Sequence, residues 1–161
     1  MRIILISLFI SLSFILKAQT NSIDSIYVDK SDRKMMLYKK KEIVKTYIIS
    51  IGQVPIGHKR IEGDLKTPEG LYTISDKNPH SQYYLNLGIS YPNNADRKRA
   101  RALGKSPGGA IKIHGYSDRY GSTKARDSRY VYTWGCIALT NNDMKEVYDW
   151  VKVGAKIMIV P

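Results

Sequence analysis

Short runs of β-branched and aromatic residues, cut at close intervals by Gly, Pro and charged turns, constrain this chain more than any other feature. Ile23, Ile26 and Val28 open the series. Met35 to Tyr38, Ile43 to Ile51, Leu71 to Ile74, Tyr83 to Ser90, Ala110 to His114 and Lys156 to Val160 continue it. Runs of this length and composition fit strands. Lys39-Lys40-Lys41 reads as a hairpin turn with a solvated tip, and Gly52 to Gly70 reads as loop, punctuated by Pro55, Gly57, Gly63 and Pro68. One segment carries a helical period: Met144, Val147, Tyr148 and Val151 stand at i, i+3, i+4 and i+7. Thr140-Asn141-Asn142-Asp143 supplies capping side chains before it, and Gly154 is expected to end it. Asn94 to Leu103 fits a short second helix or a solvated basic face. The expectation is a mainly β domain from about Ile23 to Pro161, with one clear helix near its end. The 161 residues suffice for one domain with a real core.

The first residues follow another rule. Met1 and Arg2 precede an apolar run that ends at Leu16, and Lys17, Ala18 and Gln19 follow. A basic start, an apolar stretch of about 7–15 residues and a small residue at its end describe a secretory signal peptide. The run falls short of the roughly 20 residues that span a bilayer. We expect residues 1–18 to be a signal peptide and residues 19–161 to form one domain in the periplasm or cell envelope. An uncleaved anchor is the other reading, and it is the sole membrane contact expected.

Export gives the single cysteine, Cys136, its weight. An exported chain usually carries paired cysteines or none. The count leaves two readings: a small buried apolar residue or a reactive thiol. The formal charge of +12, from 26 Lys plus Arg against 14 Asp plus Glu, favours anionic polymers or carboxylate-bearing substrates. Nucleic acid is not an expected partner outside the cell.

A thiol attacks a carbonyl as thiolate, and a neighbouring imidazole can take its proton. Of the three histidines, His58 and His80 lie in loops and read as surface residues. His114 ends an apolar strand beside Gly115, where a side chain is held and can be approached. Gly135 precedes Cys136, and the N–H groups of both are candidates to meet a developing oxyanion. Trp134 reads either as a wall of the site or as core. One Cys and three scattered His do not supply the short ligand spacings of a zinc site, and no cofactor is expected.

His114-Gly115, followed by Thr133-Trp134-Gly135-Cys136-Ile137-Ala138-Leu139-Thr140-Asn141, resembles the L,D-transpeptidase catalytic domain, also called the YkuD domain. Gly63-Asp64-Leu65-Lys66-Thr67-Pro68-Glu69-Gly70-Leu71-Tyr72 resembles a second stretch of the same family, upstream and in the right order. The resemblance implies a β-sandwich-like fold around a Cys/His site and peptidoglycan stem peptides as substrate. It implies attack on an L-to-D peptide bond and transfer of the acyl group to an amine, cross-linking the wall or anchoring a protein to it. Carried over, Cys136 is the nucleophile, His114 the base, the Gly115 carbonyl its orienting group, and Gly135 with Cys136 the oxyanion donors. Thr133 and Trp134 are then substrate contacts. The chain has Trp134 where many members have His, and Ala138 where many have Arg or Asn. Arg97, Arg99 and Arg101 are candidates for the polar contact this removes. Asn78 to Leu85 and Tyr91-Pro92-Asn93 look more like the YafK-type branch, some of whose members are hydrolases that release wall-attached protein. The acceptor stays open: an amine makes the enzyme a transpeptidase, water an L,D-carboxypeptidase or amidase, and a third reading is a wall-binding module without activity.

Overall fold

The computed structural model describes residues 22–117 and 132–161. The expected signal segment and most of the loop expected between Tyr116 and Arg129 lie outside the described residues. In chain order the elements are β1 (Ile23–Asp29), β2 (Lys34–Lys39), β3 (Glu42–Ile48), β4 (Gly70–Ser81), β5 (Tyr84–Ile89), α1 (Asn94–Ala102), β6 (Lys112–His114), β7 (Ile137–Ala138), α2 (Asn141–Trp150) and β8 (Val151–Val160). The fold is mainly β, with two helices. No helix among the described residues is long and apolar enough to cross a membrane.

The expected β-sandwich takes the form of one sheet of eight strands, in the order β3-β2-β1-β8-β4-β5-β6-β7, that curls on itself. Pairing is antiparallel except between β1 and β8 and between β6 and β7. The curl is closed by the chain just after β3. Ser50 and Ala138 exchange backbone hydrogen bonds of 2.8 and 3.0 Å, Thr133 N–H donates to the Ile51 carbonyl, and Gln53 N–H donates to the Thr133 carbonyl. The far end of one edge is thereby tied to the other, which removes much of the exposed edge that an open sheet leaves.

Alternation decides what the curl encloses. Leu87 and Ile89 of β5, Ile113 of β6 and Ile137 of β7 point inward, with Ile26 and Val28 of β1 and Ile157 and Ile159 of β8. Each such side chain contributes on the order of 1.5–3 kcal/mol when fully buried. Met144 and Val147 of α2 join the same core, as the helical period predicts. The helix is capped by Thr140, whose hydroxyl accepts from Asp143 N–H.

Two expectations need correction at its other end. Gly154 does not end α2. The helix stops at Trp150, Val151 turns to extended backbone (ψ 133°), and the side chain of Lys77 donates to the freed carbonyls of Tyr148 and Val151. Gly154, at φ +88°, sits inside β8, where three extra residues bulge between the pairs Ile23–Val151 and Ser25–Lys156. The strand therefore starts at Val151 rather than Lys156. Likewise β4 runs well past Ile74 to Ser81, and its register with β5 shifts around Pro79, which has no N–H to give a ladder.

The segment 53–69 has no strand or helix, yet it is tied down throughout. Buried Lys30 donates to Glu69 Oε1 (2.6 Å) and the Gly57 carbonyl (2.9 Å). Buried Lys59 donates to Asp64 Oδ1 (2.8 Å), and Asp64 also accepts from Arg60, Ile61 and Lys66 N–H. Burial alone would raise the Asp64 carboxyl; Lys59 and the three N–H groups outweigh it and hold the carboxyl below its ordinary value.

His58, expected at the surface, is instead part of a buried cluster. Its Nδ1 accepts from Glu69 N–H and its Nε2 lies 3.1 Å from Asp96 Oδ1. Asp96 closes a capping box with Asn93 at the start of α1 and also takes Tyr72 OH and Arg99. Burial first, then the Arg99 charge, hold the His58 ring below its ordinary pKa. His80 is exposed, as expected.

Gly52 shows how closely this segment lies against the rest. A Cβ there would come within 2.2 Å of the Leu65 carbonyl oxygen, a backbone atom. Gly52→Ala should lower stability in urea unfolding by about 1–3 kcal/mol, the usual cost of overpacking, and by more than Gly104→Ala, which meets nothing and should cost roughly 1 kcal/mol for its positive φ alone. Equal losses would show that the contact bears no strain.

Candidate active site

Strands β5, β6 and β7 turn one face to the core and the other outward, and the outward face gathers the chemistry. On β6, Ile113 is buried while its neighbours Lys112 and His114 are partly exposed; on β7, Ile137 is buried behind partly exposed Cys136. The parallel register pairs Ile113 with Ile137 and His114 with Ala138. Carried back one residue, it sets Cys136 beside Lys112. His114 and Cys136 are thus diagonal neighbours on one face, with Cα atoms about 8 Å apart on ordinary strand spacing and rise. A diagonal of this length is within reach of an aromatic side chain such as the imidazole.

The imidazole is held at one end. His114 Nδ1 lies 2.6 Å from the Gly115 carbonyl, so that nitrogen carries the hydrogen and Nε2 is left as the acceptor. The Tyr83 ring packs against it, with centroids 4.8 Å apart. Gly115 has no room for a side chain, because a Cβ would lie 2.5 Å from Asn141 Oδ1. Asn141 was expected only among the capping residues of α2. Thr140 takes the cap, and the Asn141 side chain instead accepts from Tyr116 N–H at 2.7 Å, fixing the chain just after the histidine. No sequence signal separates these two uses of an Asn beside a helix start.

The thiol is at rest and un-ionised. Cys136 Sγ donates to the Ala110 carbonyl at 3.6 Å, so its hydrogen is engaged there at rest. Burial pushes the thiol above its ordinary pKa, against the pull of the Lys112 N–H and the Lys112 and Lys59 charges. Burial also holds His114 below its ordinary value, against its bond to Gly115. Both shifts favour the uncharged pair.

The loop before the cysteine is held by its own hydrogen bonds. Gly135 N–H donates to Thr133 Oγ1 (3.1 Å), and that hydroxyl donates to the Cys136 carbonyl (2.6 Å). At rest the Gly135 N–H is therefore engaged within the loop, and the Thr133 hydroxyl shapes the turn. Glycine is needed at 135 for two other reasons. Its φ is +126°, and a Cβ would lie 2.6 Å from the Lys66 carbonyl. Trp134 is not core: it is 80% exposed, beside the cysteine. Arg97, Arg99 and Arg101 are exposed on α1, and Arg99 is bound to Asp96 and His58. Among the described residues no side-chain hydrogen bond or ion pair joins these arginines to Cys136 or His114. No group of three or more metal-ligating side chains occurs among the described residues either.

Because the thiol is held protonated, its alkylation by iodoacetamide should accelerate with pH and still be climbing above pH 9. A plateau below pH 8 would show a preformed thiolate and contradict the resting geometry.

The family model of the L,D-transpeptidase catalytic domain (YkuD) matches residues 23–159. YafK of Escherichia coli strain K12, assigned as an L,D-transpeptidase, is 28% identical over 132 residues, covering 78% of this chain and 46% of that protein. Among solved structures, the helical cell shape determining protein Pgp2 of Campylobacter jejuni is 30% identical with a TM-score of 0.63, over 88% of this chain and 51% of that one. Bd1075 of Bdellovibrio bacteriovorus is 25% identical with a TM-score of 0.59, over 86% and 48%. The chain spans about half the length of each of these relatives.

Proposed function

Because the chain belongs to the L,D-transpeptidase catalytic-domain family, we propose that it acts on peptidoglycan stem peptides through a Cys136 acyl-enzyme, with His114 as the base. The observation that carries the reading is the diagonal pair on the outward face of β6 and β7, with the imidazole tethered at Nδ1 and free at Nε2. In the first step the Sγ–H proton passes to His114 Nε2 and sulfur bonds to the carbonyl carbon of an L-to-D peptide bond. The C–N bond then breaks, and the leaving amine takes the proton from Nε2. In the second step an acceptor amine attacks the thioester, gives its proton to Nε2 and releases the thiol. General base catalysis by a placed imidazole is worth roughly 10²–10⁴-fold.

The likeness to Pgp2 supports a role in cell shape, and the apolar start of the chain supports an exported domain acting at the wall, on stem peptides or on a protein joined to them. A second reading is hydrolysis of the same acyl-enzyme, and Trp134, two residues before Cys136 and standing in solvent, favours it.

Incubation with purified muropeptides, read by mass spectrometry, tests both. Cross-linked dimers are the expected product, and trimmed monomers would assign the hydrolytic reading. Cys136→Ala should reduce either product by roughly 10³-fold or more, as loss of a nucleophile does, and His114→Gln by roughly 10²–10⁴-fold. Unchanged turnover in Cys136→Ala would overturn the assignment.

A further inference from the structure

On the other side of His114, β5 contributes a side chain that no motif marks. Asn86 lies directly opposite His114 in the antiparallel β5–β6 pair. Gly115 N–H donates to the Leu85 carbonyl at 3.2 Å and Ile89 N–H to the Ile111 carbonyl at 3.0 Å. These bonds make 85/115 and 89/111 hydrogen-bonded pairs, so 86/114 is a non-hydrogen-bonded pair, the arrangement in which opposed side chains approach most closely. Both point away from the core face that holds Leu87 and Ile113. Across this outward face one row therefore runs Asn86, His114, Ala138, with Cys136 diagonal to the histidine. Asn86 Oδ1 is buried and has no hydrogen-bond partner, the one side-chain N or O atom in that condition among the described residues. A buried amide oxygen in that state costs free energy and asks for a reason.

We propose that Asn86 is a positioning residue for His114, its Oδ1 accepting the hydrogen bond that Nε2 can offer only while the ring carries the thiol's proton. The neutral ring has its hydrogen on Nδ1, committed to Gly115, and its Nε2 is an acceptor. At rest Oδ1 bonds no ring nitrogen, and against a neutral ring it would meet only another acceptor. When the ring takes the Cys136 proton and sulfur moves onto the substrate carbonyl, Nε2–H loses its sulfur partner. Oδ1 is then the acceptor at hand. It steadies the charged ring until the leaving amine removes the proton, and the oxygen returns to its unpaired state. The stabilisation thus falls on the charged state alone, where it assists the chemical step. The groups facing the ring are Tyr83, Cys136, and Lys112 on its own strand, whose charge is paired with Asp76. No carboxylate among the described residues bonds the ring in place of Asn86.

The inference rests on the Cys136–His114 reading and deepens it, so its test reads the ring directly. The titration of His114 is followed by NMR in the full chain, assigned with His114→Gln, for wild type, Asn86→Asp and Asn86→Ser. A carboxylate at this distance should raise the His114 midpoint by about one unit or more. Asn86→Ser, too short to reach, should lower it below wild type and reduce kcat with KM little changed. A midpoint that stays put in folded Asn86→Asp overturns the proposal, as does one that stays put in Asn86→Ser should the Asp variant fail to fold. Midpoints that move as expected, with undiminished turnover in Cys136→Ala, would uphold the placement of Asn86 and sink the catalytic reading instead.

Discussion

The structure depends on the closure of its sheet. Ser50 to Gln53, just beyond β3, bonds to Thr133 and Ala138 on either side of Cys136. The cysteine therefore sits on the seam where the two ends of the curl meet. The seam is filled from below: Gly52 N–H donates to the buried Thr67 hydroxyl at 2.9 Å, the Leu65 carbonyl presses on Gly52, and the Lys66 carbonyl presses on Gly135. A site built on a closed seam is held by backbone bonds from three segments, and that is the kind of support a nucleophile needs if its reach is to be set to a fraction of an ångström. The same closure fixes the parallel register of β6 and β7, from which the diagonal of His114 and Cys136 follows.

Electrostatics are arranged around an uncharged resting pair. Cys136 and His114 are both shifted by burial toward their neutral forms, and the nearby Lys59 and Lys112 are each paired with a carboxylate, Asp64 and Asp76. A neutral thiol is less open to oxidation than a standing thiolate. Activation is then left to the moment when substrate lies on the face and the proton can move.

The strands and the late helix were legible because each has a local signature, β-branched runs and a 3.6-residue period. Cys136 and His114 were singled out as a lone thiol preceded by glycine and a histidine at a strand end, and the β6–β7 register sets them on one face. What was not legible depends on contacts between segments far apart in the chain. Thr133 and Gly135 carry the same letters whether they face substrate or fold the turn, and at rest their hydrogen bonds hold the turn. Gly154 looks like a helix stop, and Lys77, from β4, takes that work over. His58 sits in a Gly/Pro loop, yet Asp96 and Glu69 from elsewhere bury it. Asn86 occupies an outward position of an ordinary alternating strand, and only the β5–β6 register sets it against the histidine.

The central claim is that sulfur, and no other atom, carries the acyl group between donor and acceptor. Acid quenching during turnover of a stem-peptide donor, followed by intact-protein mass and peptide mapping, tests it most directly. The account predicts a mass increase equal to the donor acyl group without its departed D-amino acid, located on the peptide that holds Cys136 and abolished by hydroxylamine. Turnover with no such adduct, or with the acyl group on another side chain, would contradict it.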